Sequence, residues 1–294
     1  MIARGPRVDC VHDARARLGE GAVWDVAEKA LIWVDIEAGL VHRFDPVHGP
    51  AEPLDVGERV GCVVLRERGG AVAGCQSGLY ALDLATGARL LIAAPERDRP
   101  HSRFNDAATD RQGRWWLGTM SMKEPRPPEG TLYRLDPDLS LTAWRSGMGT
   151  PNGLAFSPDG LTMYFSDSSP GVRTVWSAPY DTATGTPGAP SVFFDTRAVA
   201  GRPDGATVDA DGCYWMAGVG GSQLVRLTPK GVVDMIVEMP VVRPSRPMFG
   251  GRDLATLYVT SIGEGAGADE PLAGGLFAVT GLPVGGLPER RFAG

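Results

Sequence analysis

One short unit recurs along the chain and constrains its fold more than any other feature. In its clearest copy, a polar residue, Asp204, opens a short strand that is followed by the turn 209–212 and an apolar run over 214–217. An Asp- and Gly-containing turn between two apolar runs predicts a β-hairpin. The same unit recurs over residues 20–36, 105–118 and 152–165. The chain is therefore expected to be built from repeated hairpins.

The polar residue that opens each hairpin keeps a constant register. Each stands five positions before the turn residue of its own hairpin, in the pairs Glu20 and Asp25, Asn105 and Asp110, Asn152 and Ser157, and Asp204 and Asp209. Asn or Asp beside Gly often only makes a turn, which would explain one such match. Because equivalent positions of repeats occupy equivalent places, four matches in one register predict a shared site.

Six such units divide the sequence at intervals of roughly 40–50 residues, a period typical of propeller blades. The units begin near Glu20, Val60, Arg103, Pro151, Arg202 and Arg246. The pattern predicts an all-β six-bladed β-propeller that forms one domain over residues 1–294. We expect an isolated strand near residues 8–13 to complete the last blade. No helical period supports a βαβ fold, and the repeated register argues against an eight-stranded barrel or paired sandwiches.

In a propeller the innermost strands line a central channel. The four polar residues are then expected to converge at one end of the axis. The second and sixth units have small or apolar residues at the same level, around Gly61 and Met248. The predicted polar ring is therefore partial, as suits a pocket with one functional side.

Composition excludes several classes of protein. The 294 residues are 43% hydrophobic and 22% charged, which is typical of a soluble globular protein. The net charge of -6 and the lack of a basic stripe argue against nucleic-acid binding. No apolar run approaches a membrane span, and residues 1–6 have no apolar signal core. We expect a cytoplasmic protein, either monomeric or a weak homodimer.

The four cysteines, Cys10, Cys62, Cys75 and Cys213, show no CxxC spacing. Without a visible secretory signal, reduced and mostly buried thiols are expected. A disulfide between Cys62 and Cys75, across a hairpin that turns near residues 68–69, is the alternative.

The register-matched residues carry oxygen ligands. Two carboxylates and two amides suit a hard divalent cation such as Ca²⁺, Mg²⁺, Mn²⁺ or Fe²⁺. Arg103 lies two residues before Asn105, so both side chains project to the same side of an extended strand, where a guanidinium can bind substrate oxygens. The four histidines lack the spacing of a zinc site, and no Gly-x-Ser-x-Gly elbow indicates a serine hydrolase.

Several segments resemble the gluconolactonase/regucalcin (senescence marker protein) family. They are LGEGAVW (18–24), RFND (103–106), GTM (118–120), PNGLAFS (151–157) and PDG (203–205), followed by residues 249–254 and 272–277. Their order and spacing cover nearly the whole chain. The resemblance implies a six-bladed propeller that binds one divalent cation and hydrolyses lactones of sugar acids. The cation could be Ca²⁺, Mn²⁺, Mg²⁺, Fe²⁺ or Zn²⁺.

The resemblance also implies roles for individual residues. Glu20, Asn152 and Asp204 match the cation ligands of the family, and Asp204 also matches its proposed general base. Arg103 and Asn105 match the substrate-binding residues.

One position departs from the pattern. In regucalcin-like members an acidic residue follows Gly-Thr-Met, whereas here Lys123 stands at about that place. This difference favours the bacterial sugar-lactonase branch, with xylono-, arabinono-, galactono- or gluconolactone as substrates. We expect Lys123 to influence the choice of substrate, although a solvated lysine on a Pro-rich loop is the alternative.

Two other functions are compatible with the same scaffold. A metal-dependent esterase or phosphotriesterase would share the cation but would have a more apolar pocket. A non-catalytic calcium-binding propeller would not need carboxylates exposed at the axis. Fold alone does not distinguish these functions.

Overall fold

Six antiparallel sheets, each of four or five strands, make up the computed structural model, which describes residues 5–294. The predicted all-β six-bladed propeller is confirmed. The first strand of the described residues is β1 (Arg7–His12), and the strands that follow it form the blades in chain order.

The first three blades use residues 19–148. Blade 1 consists of β2 (Gly19–Asp25), β3 (Ala30–Asp35), β4 (Leu40–Asp45) and the two-residue strands β5 (Gly49–Pro50) and β6 (Leu54–Asp55). Blade 2 consists of β7 (Val60–Leu65), β8 (Ala71–Cys75), β9 (Leu79–Leu82) and β10 (Arg89–Ala93). Blade 3 consists of β11 (Ser102–Thr109), β12 (Trp115–Ser121), β13 (Gly130–Leu135) and β14 (Leu141–Met148).

The last three blades follow the same plan. Blade 4 consists of β15 (Pro151–Phe156), β16 (Thr162–Asp167), β17 (Thr174–Asp181), β18 (Thr186–Pro187) and β19 (Ser191–Asp195), followed by the 3₁₀ helix Thr196–Ala198. Blade 5 consists of β20 (Arg202–Val208), β21 (Tyr214–Val219), β22 (Gln223–Leu227) and β23 (Val233–Glu238). Blade 6 consists of β24 (Pro244–Gly250), β25 (Thr256–Ser261), β26 (Leu276–Thr280) and β1.

The innermost strands form a closed ring. They contact one another in the order β2, β7, β11, β15, β20, β24 and back to β2. The ring is joined through β1, which pairs antiparallel with β26 so that Val8 faces Val279 and Cys10 faces Phe277. The first strand of the chain thus lies in the same sheet as the last three.

The apolar core is divided into six clusters, one between each pair of neighbouring blades. Between blades 6 and 1, for example, the rings of Trp24 and Tyr258 stack with their centroids 5.5 Å apart. Because both faces of each sheet are covered, a strand such as β21 is buried along its whole length and does not alternate.

Cys62 and Cys75 pack on opposite faces of blade 2, in the clusters shared with blade 3 and blade 1 respectively. Both thiols are free and buried, so the structure agrees with the expected reduced thiols and not with the alternative disulfide.

A C-terminal strap, residues 286–294, crosses the end of the ring where the hairpin turns lie. Gly286 forms a β-bridge with Asp209 of blade 5, and Phe292 forms one with Arg66 beside blade 2. The Ala293 N–H donates to the Gly113 carbonyl of blade 3 at 3.0 Å. The strap therefore ties opposite sides of the ring together. Within the described residues, no helix is long and apolar enough to cross a membrane.

Phe292 anchors the strap, since it is fully buried in the cluster between blades 2 and 3. We expect Phe292→Ala to lower the free energy of unfolding by about 3–5 kcal/mol, because it leaves a cavity in a packed cluster. Leu90, which is 74% exposed, provides the control: Leu90→Ala should change stability by less than about 0.5 kcal/mol. Denaturant unfolding would measure both, and equal effects would show that the strap is not part of the folded core.

Candidate active site

Each inner strand has a register shift at the level of the predicted polar ring. The shifts lie between Glu20 and Val23, Val60 and Cys62, Phe104 and Ala107, Asn152 and Ala155, Pro203 and Ala206, and Pro244 and Pro247. A β-bulge adds a residue to one strand and redirects its side chains. The repeated bulges therefore turn the side chain of each ring residue toward the axis.

A chain of hydrogen bonds joins the ring residues of blades 3, 4 and 5. Arg103 Nη1 donates to Asn105 Oδ1 at 2.6 Å, and Asn105 Nδ2 donates to Asn152 Oδ1 at 2.9 Å. Asn152 Nδ2 in turn donates to Asp204 Oδ1 at 2.7 Å. All donors point in one direction, from a guanidinium to a carboxylate, and such chains polarise each member.

The two ring carboxylates are buried, with Glu20 only 6% and Asp204 only 7% exposed. Burial, reinforced by the nearby Asp106 carboxylate, raises the pKa of Glu20 to about 7. Burial and then the negative charge of Glu20 raise the pKa of Asp204 well above its ordinary value. Two buried carboxylates that oppose each other's ionisation are typical of a functional site.

These side chains line one cavity of about 140 Å³ at the mouth of the channel. Five of the six predicted site residues line it, namely Glu20, Arg103, Asn105, Asn152 and Asp204. The structure does not bring Lys123 to this cavity; its side chain is exposed on the loop that follows β12. The expectation that Lys123 influences the choice of substrate stays a prediction.

Sequence reasoning missed four polar residues that line the cavity, Arg126, Thr150, Ser168 and Arg202. Ser168 Oγ accepts a hydrogen bond from Asn152 Nδ2 at 2.7 Å and holds that amide in place. Arg202 could have been found from the sequence, because it precedes Asp204 by two residues as Arg103 precedes Asn105. Arg126 gives no such signal because it lies on an irregular loop.

The prediction that Met248 occupies the ring position of the sixth blade is wrong. The bulge of β24 places Ser245 and Arg246 at this level, and Met248 packs instead in the core between blades 6 and 1. Arg246 is only 3% exposed and pairs with the Asp106 carboxylate of blade 3 across the channel. The ring therefore contains a buried ion pair that the sequence analysis did not identify. In blade 2 the position is Gly61, as expected, and an added Cβ would lie 2.0 Å from the Phe104 carbonyl oxygen.

The donor set fits a hard divalent cation. Glu20 accepts one hydrogen bond, from the Gly21 N–H at 2.9 Å, which leaves much of its buried charge uncompensated. Within residues 5–294 no group of three or more His, Cys, Asp and Glu side chains could hold a metal. The set is instead two carboxylates and the Asn152 amide, whose Oδ1 now faces Asn105. Ligation by Asn152 would require this amide to turn over, and the hydrogen-bond network determines its orientation.

Comparison with known proteins identifies the family. The model of the SMP-30/Gluconolactonase/LRE-like region matches residues 18–263. The chain belongs to this family. The chain is 40% identical over 290 residues to a 6-deoxy-6-sulfogluconolactonase of Pseudomonas putida, covering 97% of this chain and 98% of the relative.

Regucalcins are similar to the chain in sequence and in structure. The regucalcin of Gallus gallus is 35% identical, with 98% of this chain and 99% of the relative covered. A calcium-binding regucalcin from Agrobacterium tumefaciens superposes with a TM-score of 0.90 at 29% identity, covering 96% of each chain. The resemblance to the gluconolactonase/regucalcin family that the sequence motifs indicate is therefore confirmed.

The Asp106–Arg246 pair provides a test of the buried ring. Arg246→Met should lower the free energy of unfolding by about 3–5 kcal/mol, because the Asp106 carboxylate stays buried without its partner. The double variant Asp106→Leu/Arg246→Met removes both charges and should be closer in stability to the unmodified protein. Chemical denaturation of both variants measures the difference.

The control for this test is Arg7→Met, which breaks the exposed pair with Asp9 and should change stability by less than about 0.5 kcal/mol. Asp106→Leu alone completes the comparison. A double variant that is as unstable as the sum of Arg246→Met and Asp106→Leu would contradict coupling between Asp106 and Arg246.

Proposed function

We propose that this chain is a metal-dependent lactonase that opens the 1,4- or 1,5-lactones of sugar acids to the free acids. The main observation that supports the proposal is that two buried carboxylates, Glu20 and Asp204, line one small polar cavity together with Asn152. Relatives named as lactonases support the reaction class. The candidate substrates are the xylono-, arabinono-, galactono- and gluconolactones.

In the proposed mechanism Glu20, Asn152 and Asp204 would hold the cation. When bound, the cation would polarise the lactone carbonyl and stabilise negative charge on its oxygen. Arg103 and Asn105 would bind the hydroxyl oxygens of the sugar and fix the lactone ring. The hydrogen bond from Arg103 to Asn105 holds these two side chains in one orientation before substrate binds.

Asp204 would accept the proton from the attacking water. The water oxygen bonds to the carbonyl carbon, and the bond from that carbon to the ring oxygen then breaks. The ring oxygen leaves as a hydroxyl after it takes up a proton, and the new acid ionises to a carboxylate. The raised pKa of Asp204 makes its ionised form a stronger base than an ordinary aspartate.

The decisive experiment removes metal from the protein, restores individual cations and measures acid release from a panel of aldonolactones. Restored turnover of one or more lactones would support the proposal. Turnover restricted to aryl esters or phosphotriesters would favour an esterase or phosphotriesterase. Tight calcium binding with no hydrolysis would favour a calcium-binding propeller.

Cation affinity should decrease as the pH is lowered through about 7. The pKa of Glu20 is raised to about 7, so below this pH the cation must displace a proton from the carboxyl group, whereas above it Glu20 is already ionised. Calorimetric titration between pH 6 and 8.5 would measure this dependence. An affinity that rises as the pH falls would exclude Glu20 as a ligand.

Glu20→Gln removes one of the two negative charges and should weaken cation binding by about 10- to 100-fold or more. Loss of a residue that only supports a metal ligand already has an effect of this size. Its affinity should also vary less between pH 6 and 8.5. Unchanged metal content in this variant would contradict the proposed site.

Asp204→Asn should lower kcat by about 10²–10⁴ with a smaller effect on KM, because the proton acceptor is lost and the substrate contacts stay. Metal content must be measured in the same samples, since Asp204 is also a proposed ligand. Near-normal turnover by a metal-loaded Asp204→Asn protein would eliminate Asp204 as the base.

A further inference from the structure

Two arginines occupy equivalent positions on two inner strands, each two residues before the ring residue of its strand. Arg103 precedes the ring residue Asn105 of blade 3 by two, and Arg202 precedes the ring residue Asp204 of blade 5 by two. Both guanidinium side chains line the cavity. Blade 4, which lies between them, has Thr150 at the equivalent position, two residues before Asn152.

A third guanidinium covers the intervening blade. Arg126 lies on the loop between β12 and β13, and its Nη1 donates to Thr150 Oγ1 at 3.2 Å. Arg126 also lines the cavity. The three guanidiniums of Arg103, Arg126 and Arg202, which we call the arginine arc, therefore lie above blades 3, 4 and 5 in succession.

The arginine arc has few direct ion-pair partners in the described part of the protein. The hydrogen bonds of the Arg103 guanidinium go to the Phe104 carbonyl and the Asn105 amide. The ion pair of Arg126 is with Glu124, whose side chain is 74% exposed, and such surface pairs contribute little. Arg202 belongs to none of the ion pairs in the described part of the chain.

In blade 2 the arginine at the equivalent position has an ion-pair partner. Arg59 stands two residues before the ring position Gly61, but its Nε pairs with Glu37 at 2.8 Å. Arg59 does not line the cavity. On the cavity wall away from blades 3 to 5, Leu18 and Ile262 are apolar. The uncompensated guanidiniums are thus confined to one side of the cavity.

The three guanidiniums outnumber the two carboxylates of the cavity even before a cation is added. Burial is the main cause that lowers the pKa of Arg103 to about 10; the negative charge of Glu37 opposes this shift, and the positive charge of Arg126 adds to it. A neutral sugar lactone would leave this positive charge without a partner. Guanidiniums bind the oxygens of sulfonate, phosphate and carboxylate groups with paired hydrogen bonds.

We propose that the arginine arc, through Arg126 and Arg202, binds an anionic group on the substrate, at the end of the sugar chain distant from the lactone carbonyl. This inference rests on the proposed lactonase function and specifies its substrate class. Arg126 and Arg202 are then specificity-determining residues. The lactone carbonyl faces the ring carboxylates, and the sulfonate, phosphate or carboxylate group faces the arc.

The first test compares kcat/KM for gluconolactone with that for gluconolactones that carry a sulfonate, a phosphate or a carboxylate at C6. The unmodified protein should prefer at least one anionic lactone by about tenfold or more. Arg126→Gln and Arg202→Gln should each reduce kcat/KM for that lactone by about 10- to 100-fold and change the value for gluconolactone by less than about threefold. The preferred substituent identifies the natural anion.

Arg197→Gln is the matched control. Arg197 follows β19 at the same end of blade 4, half of its side chain is exposed, and it does not line the cavity. This variant loses the same charge and should keep the preference unchanged. Equal kcat/KM for all four lactones in the unmodified protein would overturn the inference. So would an equal loss on neutral and anionic lactones in the Arg126 and Arg202 variants, since this would indicate binding of the carboxylate formed in the reaction.

A binding measurement separates this inference from the lactonase proposal. Calorimetry on the cation-loaded protein would compare 6-phosphogluconate with gluconate, neither of which can be hydrolysed. Tighter binding of 6-phosphogluconate that is lost in Arg202→Gln would support the anion subsite even if no lactone were turned over. Equal binding of the two acids would overturn the subsite even if neutral lactones were hydrolysed.

Discussion

The buried ion pair of Asp106 and Arg246 joins opposite sides of the propeller. Asp106 belongs to blade 3 and Arg246 to blade 6, and the Asp106 carboxylate also accepts the Leu154 N–H of blade 4 at 2.8 Å. Blade 5 packs against the same pair, since an added Cβ on Gly205 would lie 2.5 Å from Arg246 Cδ. Two buried charges are expensive to leave unpaired. The closure of the ring and the position of the site residues therefore depend on the same contact.

The charges of the channel are arranged in layers. The two ring carboxylates lie near Asp106, and Arg246 is the buried positive charge next to this group. The three guanidiniums of the arginine arc lie above the carboxylates at the cavity mouth. A substrate that presents a carbonyl oxygen to a cation in the ring and an anion to the arc would match both layers. A purely apolar substrate would match neither, which disfavours the esterase alternative.

Much of the fold could be predicted because its repeated turns are local. Asp209 illustrates this, since its carboxylate accepts the Asp211 and Cys213 N–H groups within its own hairpin. The features that the sequence did not predict depend on contacts between residues distant in sequence. Blade 6 has Pro244 and Pro247 on either side of its bulge and no Asn or Asp beside a Gly. The sequence pattern therefore places its ring position at Met248, beyond the bulge. Arg126 is held beside the cavity by its hydrogen bond to Thr150, and the strap is anchored in the core by Phe292. Neither contact leaves a periodic pattern in the sequence.

The bulge of β15 shows why site and fold are inseparable here. Gly153 follows Asn152 and has a φ of 63°, close to the φ of 61° at Gly21 after Glu20, and residues with a Cβ seldom adopt this conformation. A Cβ on Gly153 would lie 2.3 Å from Tyr214 Oη, and this hydroxyl donates to the Gly153 carbonyl at 2.8 Å. Tyr214 belongs to the neighbouring blade. The position from which the Asn152 side chain projects thus depends on a backbone conformation that the packing of blade 5 against blade 4 supports.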